Sequence, residues 1–297
     1  MLPPTAPRLL GAPPPALVAA ARTLLSALSA GHTPLAYALG QQVLARFPAF
    51  APAFAESAAW LGVSAELLAA ATLSYDHTVS FGCSTLALAT PTGPLIARNM
   101  DWHPEDLLAR ASAIQPVAAG WSAGVVGSVG VFSGLAPRFA VVLNAVLTER
   151  PEPDGFPVLL FLRHLISTAR DFATAVQMAV RTPLMSGALL TLVGLTNDER
   201  IVIERTPDRA AVRTVDDAEP LITTNHYRAL AEPIDAGCGR FCRLQELAVR
   251  LPAQPSASEL VTCLADSAVW QTITAQQVIL QPATGQIEMY LPAHLLR

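Results

Sequence analysis

Ser80-Phe-Gly-Cys-Ser-Thr-Leu-Ala-Leu-Ala-Thr-Pro-Thr-Gly-Pro-Leu-Ile-Ala-Arg-Asn-Met-Asp-Trp102 reads as a β-hairpin with a thiol at its start and an Arg and an Asp near its end. Residues 83–90 are small, Thr or Leu, suited to a pleated surface; Pro91-Thr92-Gly93 supplies turn chemistry, and Leu95-Ile96-Ala97 restarts an apolar run. With Thr90 and Pro94 flanking a three-residue loop, paired residue numbers sum to 184, which sets Cys83 opposite Asp101 with Cβ atoms about 5 Å apart. Strand alternation puts Arg98 and Asp101 on opposite faces, so a shared site calls for a bulge or a strand end between them. Cys83 is the candidate nucleophile. A lone cysteine is commonly a small buried hydrophobe, so its neighbours carry the argument: a thiol beside Arg98 is biased toward thiolate, and Asp101 can orient a base or hold an amine. His77, His103 and His226 lie near these motifs, but none is spaced as an obvious partner for the thiol.

Upstream of the hairpin the pattern is helical. Ala16–Ala30 repeats Ala and Leu at helical spacing, with Pro15 fitted to a first turn and Gly31 to a stop. Leu35–Phe47 and Ala55–Leu73 continue that pattern to Tyr75-Asp76-His77, and composition changes at about residue 78.

Downstream, strands are expected over Ala111–Ala118, Gly124–Phe132 and Phe139–Leu147, separated by Gly, Ser and Pro. Helices follow at Pro157–Ala169 and Phe172–Arg181, the second opened by Asp171 as N-cap and closed before Pro183. Strands resume at Ala188–Leu195 and Arg200–Arg205, and a short strand Leu221–Thr224 delivers Asn225-His226. Arg240–Leu251 is helical, Ser256-Ala-Ser-Glu259 forms a capping box, and Ala275–Gln281 with Gln286–Leu291 makes a last hairpin. This order predicts stacked layers around antiparallel sheet, with no repeats and no low-complexity linker.

Composition narrows the function. At 297 residues, 52% hydrophobic and 14% charged, the chain can bury a large core. A net charge of -4 without any Lys/Arg run gives nucleic acid no electrostatic footing. Cys83, Cys238, Cys242 and Cys263 make neither a disulfide framework nor a zinc-ligand spacing, so a reducing, cytoplasmic setting is expected. Prolines break the apolar part of the first fifteen residues, which disfavours a signal peptide. The uncharged stretch between Arg110 and Arg138 is punctuated by Gly120, Gly124, Gly127, Gly130 and Gly134 and reads as buried sheet, so no transmembrane segment is expected.

Gly82-Cys-Ser-Thr followed by Ala97-Arg-Asn-Met-Asp101 resembles the hallmark of acid ceramidase and N-acylethanolamine acid amidase. These are N-terminal-nucleophile cysteine hydrolases related to the choloylglycine hydrolases and the penicillin-forming acyltransferases. The likeness continues through Arg163-His-Leu, Asp171-Phe-Ala-Thr-Ala-Val, Arg181-Thr-Pro-Leu, Thr223-Thr-Asn-His-Tyr227 and Arg240-Phe-Cys-Arg-Leu, and covers roughly residues 75–290.

The resemblance implies an α+β fold, a four-layer αββα sandwich with an N-terminal helical segment. It implies a precursor that cuts itself between Gly82 and Cys83 into a helical chain of residues 1–82 and a catalytic chain of residues 83–297, which stay associated. In that reading the freed α-amine of Cys83 is the base for its own thiol, Arg98 favours thiolate, Asp101 holds the amine, Asn225 donates to the oxyanion, and Arg240 is the second active-site arginine. No metal or organic cofactor is needed. The substrate implied is a small linear amide, lipid-like, with a fatty-acyl group; acyl transfer to an amine and a catalytically silent fold are the alternatives. Two departures stand out. The Cys83 to Arg98 spacing is one residue shorter than in those relatives, and Asn144-Ala145-Val146 replaces an acidic segment at the substrate entrance, which makes Asn144 a substrate-binding candidate.

Overall fold

The hairpin forms, with β1 at Phe81–Leu88 and β2 at Leu95–Trp102. The computed structural model describes residues 2–28, 34–77, 81–146, 151–216, 219–230 and 238–297, and Gly31, Ser80 and Leu147 at the edges of expected elements lie outside the described residues. The register differs from expectation by one residue: Cys83 pairs with Met100, and Asp101 pairs with Gly82. The cause is the turn. Six residues, 89–94, connect the strands. They close on Thr90 O, which accepts the Gly93 N–H at 3.1 Å, while Gly93 takes φ +100°, open to glycine at little cost. The Asn197 side chain then clasps Thr90 through both its backbone N–H and its C=O.

β1 and β2 sit inside a five-stranded antiparallel sheet ordered β10 (Leu221–Thr223), β1, β2, β11 (Thr274–Gln281), β12 (Gln286–Tyr290). A second sheet is a seven-stranded antiparallel meander from β3 (Ser112–Val117) through β4 (Gly120–Val125), β5 (Ser133–Ala136), β6 (Phe139–Ala145), β7 (Ala188–Val193) and β8 (Arg200–Arg205) to β9 (Ala210–Arg213).

Period-two burial assigns the layers. Ala87, Ile96, Val278 and Leu280 of the first sheet meet Ala140, Val142, Leu189 and Val202 of the second. Val141, Leu143, Leu190 and Ile203 turn the other way, into a cluster shared with α7 (Val158–Thr168) and α8 (Phe172–Arg181). Leu86, Leu95 and Ala97 face α9 (Gly239–Ala248) and α10 (Ala257–Leu264). Helix, sheet, sheet and helix therefore stack in four layers, as expected. Local caps explain two helix starts: Asp171 accepts the Thr174 N–H at 2.8 Å, and Ser256 with Glu259 completes the capping box.

Among the described residues, five α-helices precede the hairpin: α1 (Pro15–Leu28), α2 (Pro34–Arg46), α3 (Ala51–Leu61), α4 (Ala65–Thr72) and α5 (Ser74–His77). The single helix expected over Ala55–Leu73 is two, because Gly62 takes a left-handed cap (φ 60°) and Ser64 starts a new helix by accepting the Leu67 N–H. The strand expected over Gly124–Phe132 is also corrected: β4 ends at Val125, whose C=O accepts the Ser128 N–H in a turn with Gly127 at φ 77°. A short helix, α6 (Glu105–Arg110), follows β2 without having been expected.

The N-terminal segment shares its core with the sandwich. Ala21, Leu24, Phe54, Leu61 and Leu67 join one apolar cluster with Met100, Trp102 and Cys83. Before α1 the chain also bonds to both sheets, Ala6 N–H to Met289 O and Leu9 N–H to Ile114 O, each at 2.8 Å. Among the described residues no single helix is long and apolar enough to cross a membrane.

Candidate active site

Cys83 and Met100 are paired across β1 and β2, so their side chains and that of Arg98 share the face toward the second sheet. Ser84, Asn99 and Asp101 point the other way, toward α9 and α10. Arg98 and Asp101 thus occupy opposite faces, as alternation requires, and the irregularity near them belongs to β11, whose register shifts between Thr274 and Gln276. The site is built on both sides of one strand pair.

On the inner face, the Arg98 guanidinium donates from Nη2 to Cys83 Sγ at 3.2 Å and from Nη1 to Ser133 Oγ at 3.1 Å. Neither bond goes to a carboxylate, and Nε has no hydrogen-bond partner. Both residues are fully buried. Burying a guanidinium costs several kcal/mol unless its N–H groups find acceptors, and Cys83 Sγ and Ser133 Oγ are the acceptors here.

On the outer face, Arg240 of α9 gathers the remaining candidates. Its Nη1 donates to Cys83 O at 3.0 Å, to Ser84 Oγ at 3.2 Å and to Asp101 Oδ2 at 3.4 Å, and its Nη2 donates to Asn225 Oδ1 at 2.8 Å. Asp101 also accepts from Thr274 Oγ1 at 2.7 Å. Burial pushes the Asp101 carboxyl above its ordinary value, against the pull of the Thr274 hydroxyl and of the Arg240 and Arg98 guanidiniums.

Asn225, just past β10, accepts the backbone N–H of Cys83 on Oδ1 at 3.0 Å and donates from Nδ2 to Ala145 O at 2.7 Å. The amide orientation follows from its partners, two donors on one side and a carbonyl on the other. A primary amide has two hydrogens, so one remains for a further acceptor. Asn144 stands apart from the thiol. Its amide bonds Thr85 Oγ1 at 2.7 Å and Thr223 O at 3.1 Å, tying the two sheets together two residues along β1 from Cys83.

Several residues near the thiol had no signal beyond their type. Tyr75 donates to Gly187 O at 2.8 Å and stacks on Trp102, with centroids 5.9 Å apart and planes at 20°. Burial, then the neighbouring Asp76 and Cys83, raise its phenol well above the ordinary value. Asp76 is buried; one carboxyl oxygen accepts from Ser186 Oγ at 2.6 Å and Val158 N–H at 3.3 Å, and the other has no partner. Burial pushes its carboxyl from 3.8 up to about 7. Trp102 in turn meets Phe132 edge-on, with centroids 5.0 Å apart.

Trp102 and Phe132 also wall an apolar cavity of about 110 Å³ lined further by Leu24, Leu61, Leu68 and Leu159. Trp102 lies two residues along β2 from the partner of Cys83, on the same face, about 7 Å away.

The family model for acyl-coenzyme A:6-aminopenicillanic acid acyl-transferase matches residues 88–269. The match takes in Arg98, Asp101, Asn144, Asn225 and Arg240, and begins just beyond Cys83. Among solved structures, the N-acylethanolamine-hydrolyzing acid amidase ortholog of Caenorhabditis elegans superposes with a TM-score of 0.58 at 20% identity, covering 71% of this chain and 100% of that one. That likeness shows an N-terminal-nucleophile hydrolase fold. No curated protein matches the sequence.

Proposed function

The chain belongs to the acyl-coenzyme A:6-aminopenicillanic acid acyl-transferase family, and from that premise we propose that it is a self-processing cysteine amidase acting on N-acyl amides with an apolar acyl group. The observation that carries the reading is the double hold on one residue: Arg98 on Cys83 Sγ and Asn225 on Cys83 N–H.

Those contacts support self-processing by the following route. Sγ adds to the Gly82 carbonyl carbon, the C–N bond breaks, and the nitrogen takes up a proton to become the amine of Cys83. Water then hydrolyses the thioester, leaving a Gly82 carboxylate and the free thiol. The new α-amine, with an ordinary pKa of about 7.7–8.0, is matched to general-base work near neutral pH. It stays beside Asn225 Oδ1, and Asp101 and Arg240 complete its surroundings.

In turnover the amine takes the thiol proton, Sγ attacks the substrate carbonyl, and the second Nδ2 hydrogen of Asn225 is available to the oxyanion. The leaving amine departs with the proton, and water releases the acid from the thioester. The cavity beside Trp102 supplies an apolar seat for the acyl group, and Arg98 and Arg240 position the rest. Asn144 acts in this reading by holding β1 against the second sheet.

A second reading, transfer of the acyl group to an amine, is favoured by the complete burial of Cys83, which shields a thioester from water. One experiment addresses both. Intact-mass measurement and thiol labelling of the purified chain are followed by product analysis on matched N-acyl amides, with and without added amine. Cut protein, labelled at Cys83, that releases free acid supports hydrolysis; N-acyl product with added amine supports transfer; uncut, unreactive protein overturns both.

A further inference from the structure

Glu204, one residue before the end of β8, carries a fully buried carboxylate that no step of the reaction uses. Its Oε2 accepts three successive backbone N–H groups, Arg228 at 2.9 Å, Ala229 at 2.8 Å and Leu230 at 3.1 Å, and its Oε1 takes Arg213 Nε at 2.7 Å and Arg228 N–H at 3.0 Å. The segment gripped in this way is the one that begins with Asn225. Tyr227 adds a second tie by donating to Arg205 O at 2.6 Å. The grip also reaches α9: the Arg228 guanidinium lies 3.4 Å over the Phe241 ring, and Phe241 is the neighbour of Arg240.

We propose that Glu204 is a positioning residue for the active site, its carboxylate fixing residues 225–230 and, through Arg228 on Phe241, the first turn of α9. Asn225 and Arg240 then meet at Cys83 in one geometry. Two arguments support this. A carboxylate with every strong acceptor direction filled by N–H groups is a rigid anchor, and both dependent residues approach Cys83 from far along the chain, with no local turn to aim them. The inference rests on the amidase reading for its effect on rate, while the anchoring itself is independent of any activity.

The test uses the full chain and two variants. Glu204→Gln keeps the shape but turns an amide N–H₂ toward donors; Arg228→Ala removes an exposed side chain and leaves the buried carboxylate intact. Amide hydrogen exchange and steady-state kinetics are measured on both. For Glu204→Gln the expected result is at least about tenfold faster exchange at 225–230 and 239–243, unchanged exchange in β7, and a kcat lower by roughly 10–100-fold with KM within about threefold. Arg228→Ala should speed exchange at 239–243 and lower kcat by several-fold. Unchanged exchange at 239–243 in both variants overturns the proposal, as does faster exchange with kcat fully retained. If Glu204→Gln does not fold, Arg228→Ala decides. If the wild-type chain hydrolyses no amide, the amidase reading fails, and exchange together with the alkylation rate of Cys83 by iodoacetamide still judges Glu204.

Discussion

Asn225 Oδ1 accepts the backbone N–H of Cys83 at 3.0 Å, so an amide from far along the chain holds the nitrogen of the Gly82–Cys83 peptide bond itself. Arg240 holds the same oxygen and the carbonyl of the same residue. The main-chain atoms on both sides of the Cys83 Cα are thereby fixed while Arg98 holds its side chain.

Cutting should require the thiol. Wild-type protein is expected to give two fragments whose masses place the break between Gly82 and Cys83, whereas Cys83→Ala should stay whole, inactive and folded. A small buried side chain is lost there, at about 1 kcal/mol or less in stability. An active amidase that remains full-length would overturn the mechanism.

Asn225→Ala is expected to lower kcat by on the order of 10²–10³ if its amide serves the oxyanion, with a smaller effect on substrate binding. The same loss appearing only in KM would assign the residue to uniform binding of substrate.

Acidity should be read in stability through Asp76. Its carboxyl is raised from 3.8 to about 7 by burial, so the folded state binds the extra proton. The stabilisation is fully present below about pH 4 and is lost as pH rises through about 7. In a Cys83→Ala background, which keeps the chain whole, Asp76→Asn should flatten that slope and exceed its parent in stability above pH 7 by a few kcal/mol at most. Urea unfolding at pH 5 and pH 8 decides it; identical slopes in the two proteins would remove Asp76 as the cause.

Acyl-group preference should follow the cavity beside Trp102. Each buried methylene contributes about 0.8 kcal/mol, or roughly fourfold in kcat/KM. A hollow of about 110 Å³ is smaller than the roughly 150 Å³ that accommodates benzene, so the gain should run over the first few carbons and then level off. Ala71→Phe, which fills the cavity from α4, should move the plateau to shorter chains. A flat series in both proteins would detach the cavity from catalysis.

What the sequence revealed tracks the range of the interactions. Asp171 and Ser256 were legible as caps because each bonds a residue three positions away. The hairpin was legible from Pro91-Thr92-Gly93, but its register was not, because Asn197 fixes the turn from the other sheet. Asn225 and Arg240 were singled out only by family resemblance: they lie 142 and 157 positions from Cys83, and an Asn at a strand end or an Arg at a helix start is ordinary by itself. Glu204 gave no signal at all, since its partners are mainly backbone N–H groups that every residue type offers.

The one-residue offset of the hairpin has a steric corollary. Because Asp101 stands across from Gly82, a methyl group at position 82 would come within 3.1 Å of the Asp101 Cβ and 3.3 Å of its Oδ2, so a side chain there would press the Asp101 carboxyl aside by a few tenths of an ångström. In the proposed self-cleavage, loss of that neighbour would leave Asp101 facing the new α-amine of Cys83, so the mechanism gives one carboxyl two successive tasks: partner of Arg240 and Thr274 in the whole chain, and counter-ion to the chain end that the cut would create.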